Sequence, residues 1–260
     1  MAETVAPGSD ERSFGIVMDD RISATRGGRA GRSLHAVSHG GRSASWPRAI
    51  GPIEMVWHRA NTEKEISAFL GSEVQWIECD ARADPNGVVS VAHEPIVETG
   101  EALELTDWLS IVRDAGRSAK IDLKEDGVVL DGALEAISKV GLQDVDLWFN
   151  AAVEIPGGAE GFTRIRAAHT NARISCPLDT LGSYLLVAPP AYEVVSHLRS
   201  WGVDWLCIGV CVDGVESLIP QLRRREWPIN LWDVEDASDM RRALALSPNS
   251  ITADLSAIEP

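Results

Sequence analysis

Cysteine is scarce in this chain of 260 residues: Cys79, Cys176, Cys207 and Cys211 are its four copies, all in or beside apolar strand-like runs. Cysteine in such runs packs as a small buried hydrophobe, so reduced thiols are expected. No Cys-x-x-Cys is present, and Cys207-x3-Cys211 has no histidine nearby, which argues against a zinc or redox motif. No apolar run approaches the ~18 residues of a membrane-crossing helix. A basic start followed by an apolar core is also missing at the N-terminus, so no secretory leader is expected and the simplest address is cytoplasmic. Positive charge is in short supply, with 24 Lys+Arg against 39 Asp+Glu and a net charge of −15. That balance excludes nucleic acid and anionic membranes as natural partners and leaves small molecules. Gly-x-Ser-x-Gly, Walker and Gly-x-Gly-x-x-Gly motifs are absent too, which removes the commonest hydrolase, nucleotide and dinucleotide signatures.

What is present divides at about residue 50. Residues 1–50 are rich in Gly, Ser, Ala and Arg, with seven Arg against five Asp/Glu, and cannot bury enough apolar surface to offset their ordering entropy. A flexible or loosely docked tail is expected there, and a folded domain over 51–260. With 45% hydrophobic residues, that domain can bury one substantial core.

From Pro52 onward, short runs rich in Val, Ile and Trp alternate with amphipathic segments, the pattern of βα units and a parallel sheet. Strands are expected at 53–58, 74–80, 118–124, 144–150, 172–176, 203–208, 228–232 and 250–254. Helices are expected at 62–70, 106–115, 129–140, 160–169, 191–201, 215–225 and 238–246. Eight strands in about 210 residues suit a single (β/α)8 TIM barrel. A ninth apolar run, Gly87–Ala92, follows a Pro-Asn-Gly turn and reads as a hairpin extension after the second strand. The glycine-rich Pro156–Gly161 reads as a turn into a helix.

In such barrels the chemistry sits at the C-terminal ends of the strands. Polar residues arrive there repeatedly: His58 on the first strand, Glu78 and Asp80 on the second, Asp122 and Lys124 on the third, Asn150 on the fourth, Trp232 on the seventh and Asp254 on the last. Period-two alternation puts Glu78 with Asp80 on one face and Asp122 with Lys124 on one face. Three converging carboxylates are costly to bury unless a cation neutralises them, and all-oxygen ligation favours Mg2+, or alternatively Ca2+. An ion-pair network with Arg59, Lys120 and Lys124 is the alternative. His58 and His93, which bracket the acidic doublet, could serve as an acid/base pair near neutral pH.

These elements resemble the glycerophosphodiester phosphodiesterase-like barrels: His58-Arg59, Glu78-Cys-Asp80, the turn running from Asn86 to His93-Glu94, and Asp122-Leu-Lys124. Sphingomyelinase D is similar in the same places. Within that superfamily the menorin family is the nearer likeness, through Trp57-His58-Arg59-Ala60-Asn61, Ile121-Asp-Leu-Lys124, Trp148-Phe-Asn150-Ala151, Leu231-Trp232 and the ending from Asp254 to Glu259-Pro260. The resemblance implies a TIM barrel of the phosphodiesterase type and one divalent metal on Glu78, Asp80 and Asp122. It further implies that His58 and His93 transfer protons, that Arg59 and Lys124 hold a phosphate, and that Asn150 and Trp232 line the mouth. Only 28 residues separate His93 from Asp122, too few for the subdomain with which glycerophosphodiester phosphodiesterases grip their substrate.

The expected activity is therefore metal-dependent cleavage of a small phosphodiester or other anionic substrate, by hydrolysis or by intramolecular cyclisation. Two alternatives stand beside it. One is a barrel that binds an anion or a partner without turnover; the other is an enzyme of specialised metabolism that has kept the metal site and abandoned phosphoryl chemistry.

Overall fold

A computed structural model describes residues 52–258 apart from 101, 180–184 and 186–190; the expected tail, residues 1–50, lies outside the described residues. The elements alternate as β1 (Glu54–Trp57), α1 (Glu63–Leu70), β2 (Trp76–Ala83), β3 (Val89–Val91), α2 (Leu105–Asp114), β4 (Ser118–Leu123), α3 (Val128–Val140) and β5 (Leu147–Asn150). They continue as α4 (Ala159–Ala168), β6 (Arg173–Pro177), α5 (Ala191–Ser200), β7 (Trp205–Gly209), α6 (Val215–Arg223), β8 (Ile229–Val234), α7 (Ala237–Leu246) and β9 (Ser250–Ala253).

Eight strands pair in parallel in the order β1-β9-β8-β7-β6-β5-β4-β2, and β1 closes the ring by pairing with β2. This is the expected (β/α)8 barrel. The ninth run is β3, antiparallel to β2 with Ala81 opposite Val91, so it extends β2 as a hairpin and stays out of the ring. One expected strand begins late: residues 144–146 form a 3-10 turn before β5. Asp144 and Asp146 there accept hydrogen bonds from His169 and Ser118, and those side-chain partners draw them out of a ladder.

Strand parity divides the side chains as the sequence implies. Ile77, Cys79, Ile121, Phe149 and Ile208 join the continuous layer between strands and helices, together with Phe69, Trp108, Leu109 and Phe162. Residues on the other face fill the barrel. At its N-terminal end, Arg173 lies over the rings of Trp76, Trp148 and Trp205 at 4.5, 5.3 and 4.8 Å and pairs bidentately with Glu54. The tryptophans supply π faces to the guanidinium, and the barrel floor is closed by that stack.

Local sequence sets the loops that matter. Thr62 and Glu65 form a reciprocal capping box at the start of α1, and Glu65 also accepts from the Asn61 amide. The chain leaving β1 is thus fixed within five residues of the strand. The Pro156–Gly161 turn behaves as expected: a Cβ on Gly161 would fall 1.6 Å from the Pro156 carbonyl oxygen, so only glycine lets α4 start there. Cys79, Cys176 and Cys207 are buried free thiols, whereas Cys211 is exposed, against the expectation of burial; it stands beyond the end of β7, where the apolar run gives way to the turn before α6.

Candidate active site

The strand register brings the acids together. Asp80 on β2 lies opposite Asp122 on β4, which lies opposite Asn150 on β5, which lies opposite Ser175 on β6. One carboxylate oxygen from each of Glu78, Asp80 and Asp122 comes within 4.8 Å of the other two. Each acid also has one oxygen held by an N–H donor. The Arg59 backbone donates to Glu78 Oε2 at 2.8 Å, the Asn61 side chain to Asp80 Oδ2 at 2.7 Å, and the Asn150 side chain to Asp122 Oδ1 at 2.9 Å. Asn61 returns the favour to β2 by accepting from the Asp80 amide at 3.0 Å.

These donors are themselves oriented. The Trp148 indole donates to Ser175 Oγ at 2.8 Å, and Ser175 donates to Asn150 Oδ1 at 2.6 Å, which leaves the Asn150 amide nitrogen for Asp122. Outer partners of this kind fix the angle of a carboxylate toward a metal. The three acids thus offer a hard-oxygen set that could hold a metal ion, with Asp80 Oδ1 and Asp122 Oδ2 not taken by these amide donors. Lys124 Nζ bridges the latter two at 2.8 and 2.5 Å, and these acids raise its pKa well above the usual lysine value against the opposing effect of burial. Glu78 is more deeply buried, and loss of hydration lifts its carboxyl above the usual range in spite of His58.

His58 follows β1 and is buried at the cavity wall. Its Nδ1 meets Asp254 Oδ1 at 2.6 Å, and its Nε2 stands 3.9 Å from Glu78 Oε2. Ionised Asp254 can only accept, so Nδ1 carries a proton and Nε2 is the atom free to take or give one. Burial disfavours the imidazolium, but Glu78 and Asp254 outweigh it, and the His58 pKa is raised. Asp254 is correspondingly lowered, first of all by that hydrogen bond.

The cavity holds about 250 Å³ and is lined by His58, Arg59, Glu78, Asp122, Lys124, Asn150 and Trp232, among others. Trp232 is aimed by its neighbours: Asp179 accepts from its indole at 3.2 Å and from the Gly209 amide at 2.5 Å. The β8–β9 pairing shifts register between Leu231 and Val234, and Asp233 there has φ 64°. Arg59 too is left-handed, at φ 50°, a conformation that costs a non-glycine residue roughly 1–2 kcal/mol. That geometry turns its amide toward Glu78. Its Nε is buried without a partner among the described residues.

His93 stands apart. It lines a second, more open groove of about 800 Å³ beside the N-terminus of α1, its side chain is 44% exposed, and it pairs with Glu94 at 2.8 Å. Arg59 is the residue common to the cavity and the groove. The structure therefore brings together eight of the nine residues singled out from sequence and leaves His93 across Arg59 from them. Asp254, Asn61, Ser175 and Asp179 were not assigned a role by sequence reasoning. Asp254 had left a signal as a carboxylate at the end of the last strand, and Asn61 as the closing residue of the Trp57–Asn61 motif.

No family model matches this sequence, and no curated protein does. Solved structures do. An Oleispira antarctica phosphodiesterase in complex with the product sn-glycerol-3-phosphate is 12% identical, with TM-score 0.61 over 77% of this chain and 92% of that one. A glycerophosphodiester phosphodiesterase from Agrobacterium tumefaciens is 16% identical, with TM-score 0.57 over 78% and 95%. Another from Parabacteroides distasonis is 12% identical, with TM-score 0.59 over 78% and 93%. At these identities the likeness is one of architecture, and the chain has the TIM-barrel fold of the glycerophosphodiester phosphodiesterase structures.

Proposed function

We propose that the barrel is a divalent-metal-dependent phosphodiesterase acting on a small phosphodiester, with Glu78, Asp80 and Asp122 as ligands for Mg2+ or Ca2+. The observation that supports this best is the trio of carboxylates, each pinned by its own N–H donor beside a histidine whose free nitrogen faces the same cavity. When bound, the metal would supply Lewis-acid stabilisation of phosphoryl oxygens. Arg59 and Lys124 add fixed positive charge for the same oxygens. His58 Nε2 exchanges the proton of the attacking water or substrate hydroxyl, with Asp254 stabilising the imidazolium. His93, on the far side of Arg59, is assigned to the proton of the leaving alcohol. Attack by water gives hydrolysis, and attack by a hydroxyl of the substrate gives a cyclic phosphate.

The site's place at the C-terminal mouth of a phosphodiesterase-type barrel supports the same reading, as do the menorin-like motifs at His58–Asn61, Asp122–Lys124 and Asn150–Ala151. A cavity of about 250 Å³ suits a compact headgroup, and a small phosphate ester, sn-glycerol-3-phosphate, is the product held by the Oleispira enzyme. The direct test is Mg2+-dependent release of 4-nitrophenol from bis(4-nitrophenyl) phosphate. Loss of turnover in Glu78→Ala and in His58→Ala is expected; undiminished activity in His58→Ala overturns the assigned chemistry.

The bridge from Lys124 to Asp80 and Asp122 favours a second reading, an ion-pair network in a barrel that binds an anion without turnover. Thermal stabilisation by phosphate that is indifferent to Mg2+, with no hydrolysis of a phosphodiester panel, would select it.

A further inference from the structure

Lys120 takes no part in the phosphate grip or the proton transfer, yet its side chain is 2% exposed and lines the floor of the cavity. It sits in register with Glu78, one layer below the row of Asp80 and Asp122. Its Nζ donates to Asn230 Oδ1 at 3.2 Å and to Thr252 Oγ1 at 3.1 Å, and lies 5.1 Å from the Trp148 ring centroid. All three partners are neutral. An ammonium has a third N–H, for which the described residues offer no acceptor, and no described carboxylate forms an ion pair with it. A buried cation of this kind is costly unless charge elsewhere in the cavity balances it.

The balancing charge lies in the cavity itself. Glu78, Asp80 and Asp122 oppose Arg59, Lys120 and Lys124, so the set sums to zero, and the His58–Asp254 couple adds nothing while His58 is protonated. A divalent cation entering alone leaves an excess of two positive charges in a confined space. A phosphate dianion entering alone leaves the opposite excess. Together they restore neutrality.

Resting on the metal-site reading given above, we infer that the cavity takes a divalent cation and a phosphate dianion, such as inorganic phosphate or a phosphomonoester product, as a coupled pair, and that Lys120 sets the strength of the coupling. Each raises the affinity of the other by the same factor, as linkage requires. Lys120 acts through the electrostatics of the floor and is a positioning residue.

Isothermal titration of Mg2+ into the full chain, with and without saturating inorganic phosphate and corrected for Mg2+–phosphate association in solution, tests this. Phosphate should tighten Mg2+ binding at least tenfold. Lys120→Met, checked for folding by its thermal melt, should bind Mg2+ alone about tenfold more tightly, because one unit of repulsion is gone, and should show a smaller coupling. Wild-type Mg2+ binding that is lost in Glu78→Gln but unaffected by phosphate leaves the metal site standing and overturns the coupling. Lys120→Met with unchanged Mg2+ affinity and unchanged coupling overturns the role of Lys120. Absence of Mg2+ binding under every condition removes both the metal site and the pair. The wild-type comparison keeps the inference testable even if Lys120→Met does not fold.

Discussion

The two ends of the barrel handle buried charge in opposite ways. At the N-terminal end, one guanidinium is held against three tryptophan faces, and both of its terminal nitrogens donate to the one carboxylate of Glu54. At the C-terminal end, two of the three carboxylates share one bridging lysine, Glu78 Oε1 accepts no hydrogen bond among the described residues, and Arg59 Nε is without a partner among them. The first arrangement is saturated and closes the floor. The second has unspent valence directed into a cavity, which is what a ligand site needs. The difference teaches that buried charge by itself does not mark function; its leftover bonding capacity does.

That contrast is broken most sharply at Glu78. Glu78→Ala is expected to lower Mg2+-dependent phosphodiester cleavage by more than a hundredfold, while urea denaturation shows a loss of stability, because the Arg59 amide, His58 and the buried Lys120 lose the carboxylate that faces them. At the other end stability alone should suffer. Arg173→Met strands Glu54 and strips the tryptophan box of its cation, for a loss of about 2–3 kcal/mol after discounting for the partial exposure of the pair, with Mg2+ affinity unchanged. A fall in Mg2+ affinity in that variant would show that the two ends are not independent.

Asp254→Asn sharpens the comparison within the upper end. Kinetics should show a loss of about 10² or more in kcat/KM, the range of a general acid–base contribution. The limb of the pH profile belonging to His58 should move to lower pH, since Asp254 helps hold that pKa up. The linked stability has a definite sign: the raised His58 pKa favours the fold below the unfolded value of about 6.5 and is lost as pH rises through the folded value. Trp148→Phe joins the two ends, because its indole orients Ser175 and through it Asn150. It should cost about 1 kcal/mol and a smaller, measurable part of the turnover.

The smallest effect is expected at Asp144, outside both ends. Burial would lift its carboxyl, but the Asn171 amide and His169 outweigh this and hold it below the usual range. Its contribution is present above the unfolded pKa and lost as pH falls through the folded one, so Asp144→Asn should flatten the acid limb of thermal stability slightly. A large change there would mean that the exposed 3-10 turn matters more to the barrel than its accessibility suggests.

Much of this was legible in the sequence, for a physical reason. Periodicity specifies which face a strand residue occupies, which placed Glu78 with Asp80. The eight-strand ring followed from the alternation of strand and helix runs, the β3 hairpin from the Pro-Asn-Gly turn, and the approach of Asp122 from the convergence of strand ends in a barrel. Long-range pairing leaves no such trace. Nothing in the segment around Arg173 announces Glu54, Trp76, Trp148 and Trp205 as its neighbours, because they come from four other strands. The same holds for Lys120 with Asn230 and Thr252, and for Asp254 reaching His58 across 196 positions. The position of His93 is of the same kind: its spacing from the acidic doublet does not reveal that it lines the groove that shares Arg59 with the cavity.

That hairpin has a consequence for how the protein could be altered. Because β3 takes its register from β2 and leaves the ring untouched, residues 95–100, beyond His93 and Glu94, bear no load in barrel closure. They are the natural graft point of the scaffold, a place where a longer loop can reshape the outer groove and its selectivity while the chemistry beneath keeps its alignment.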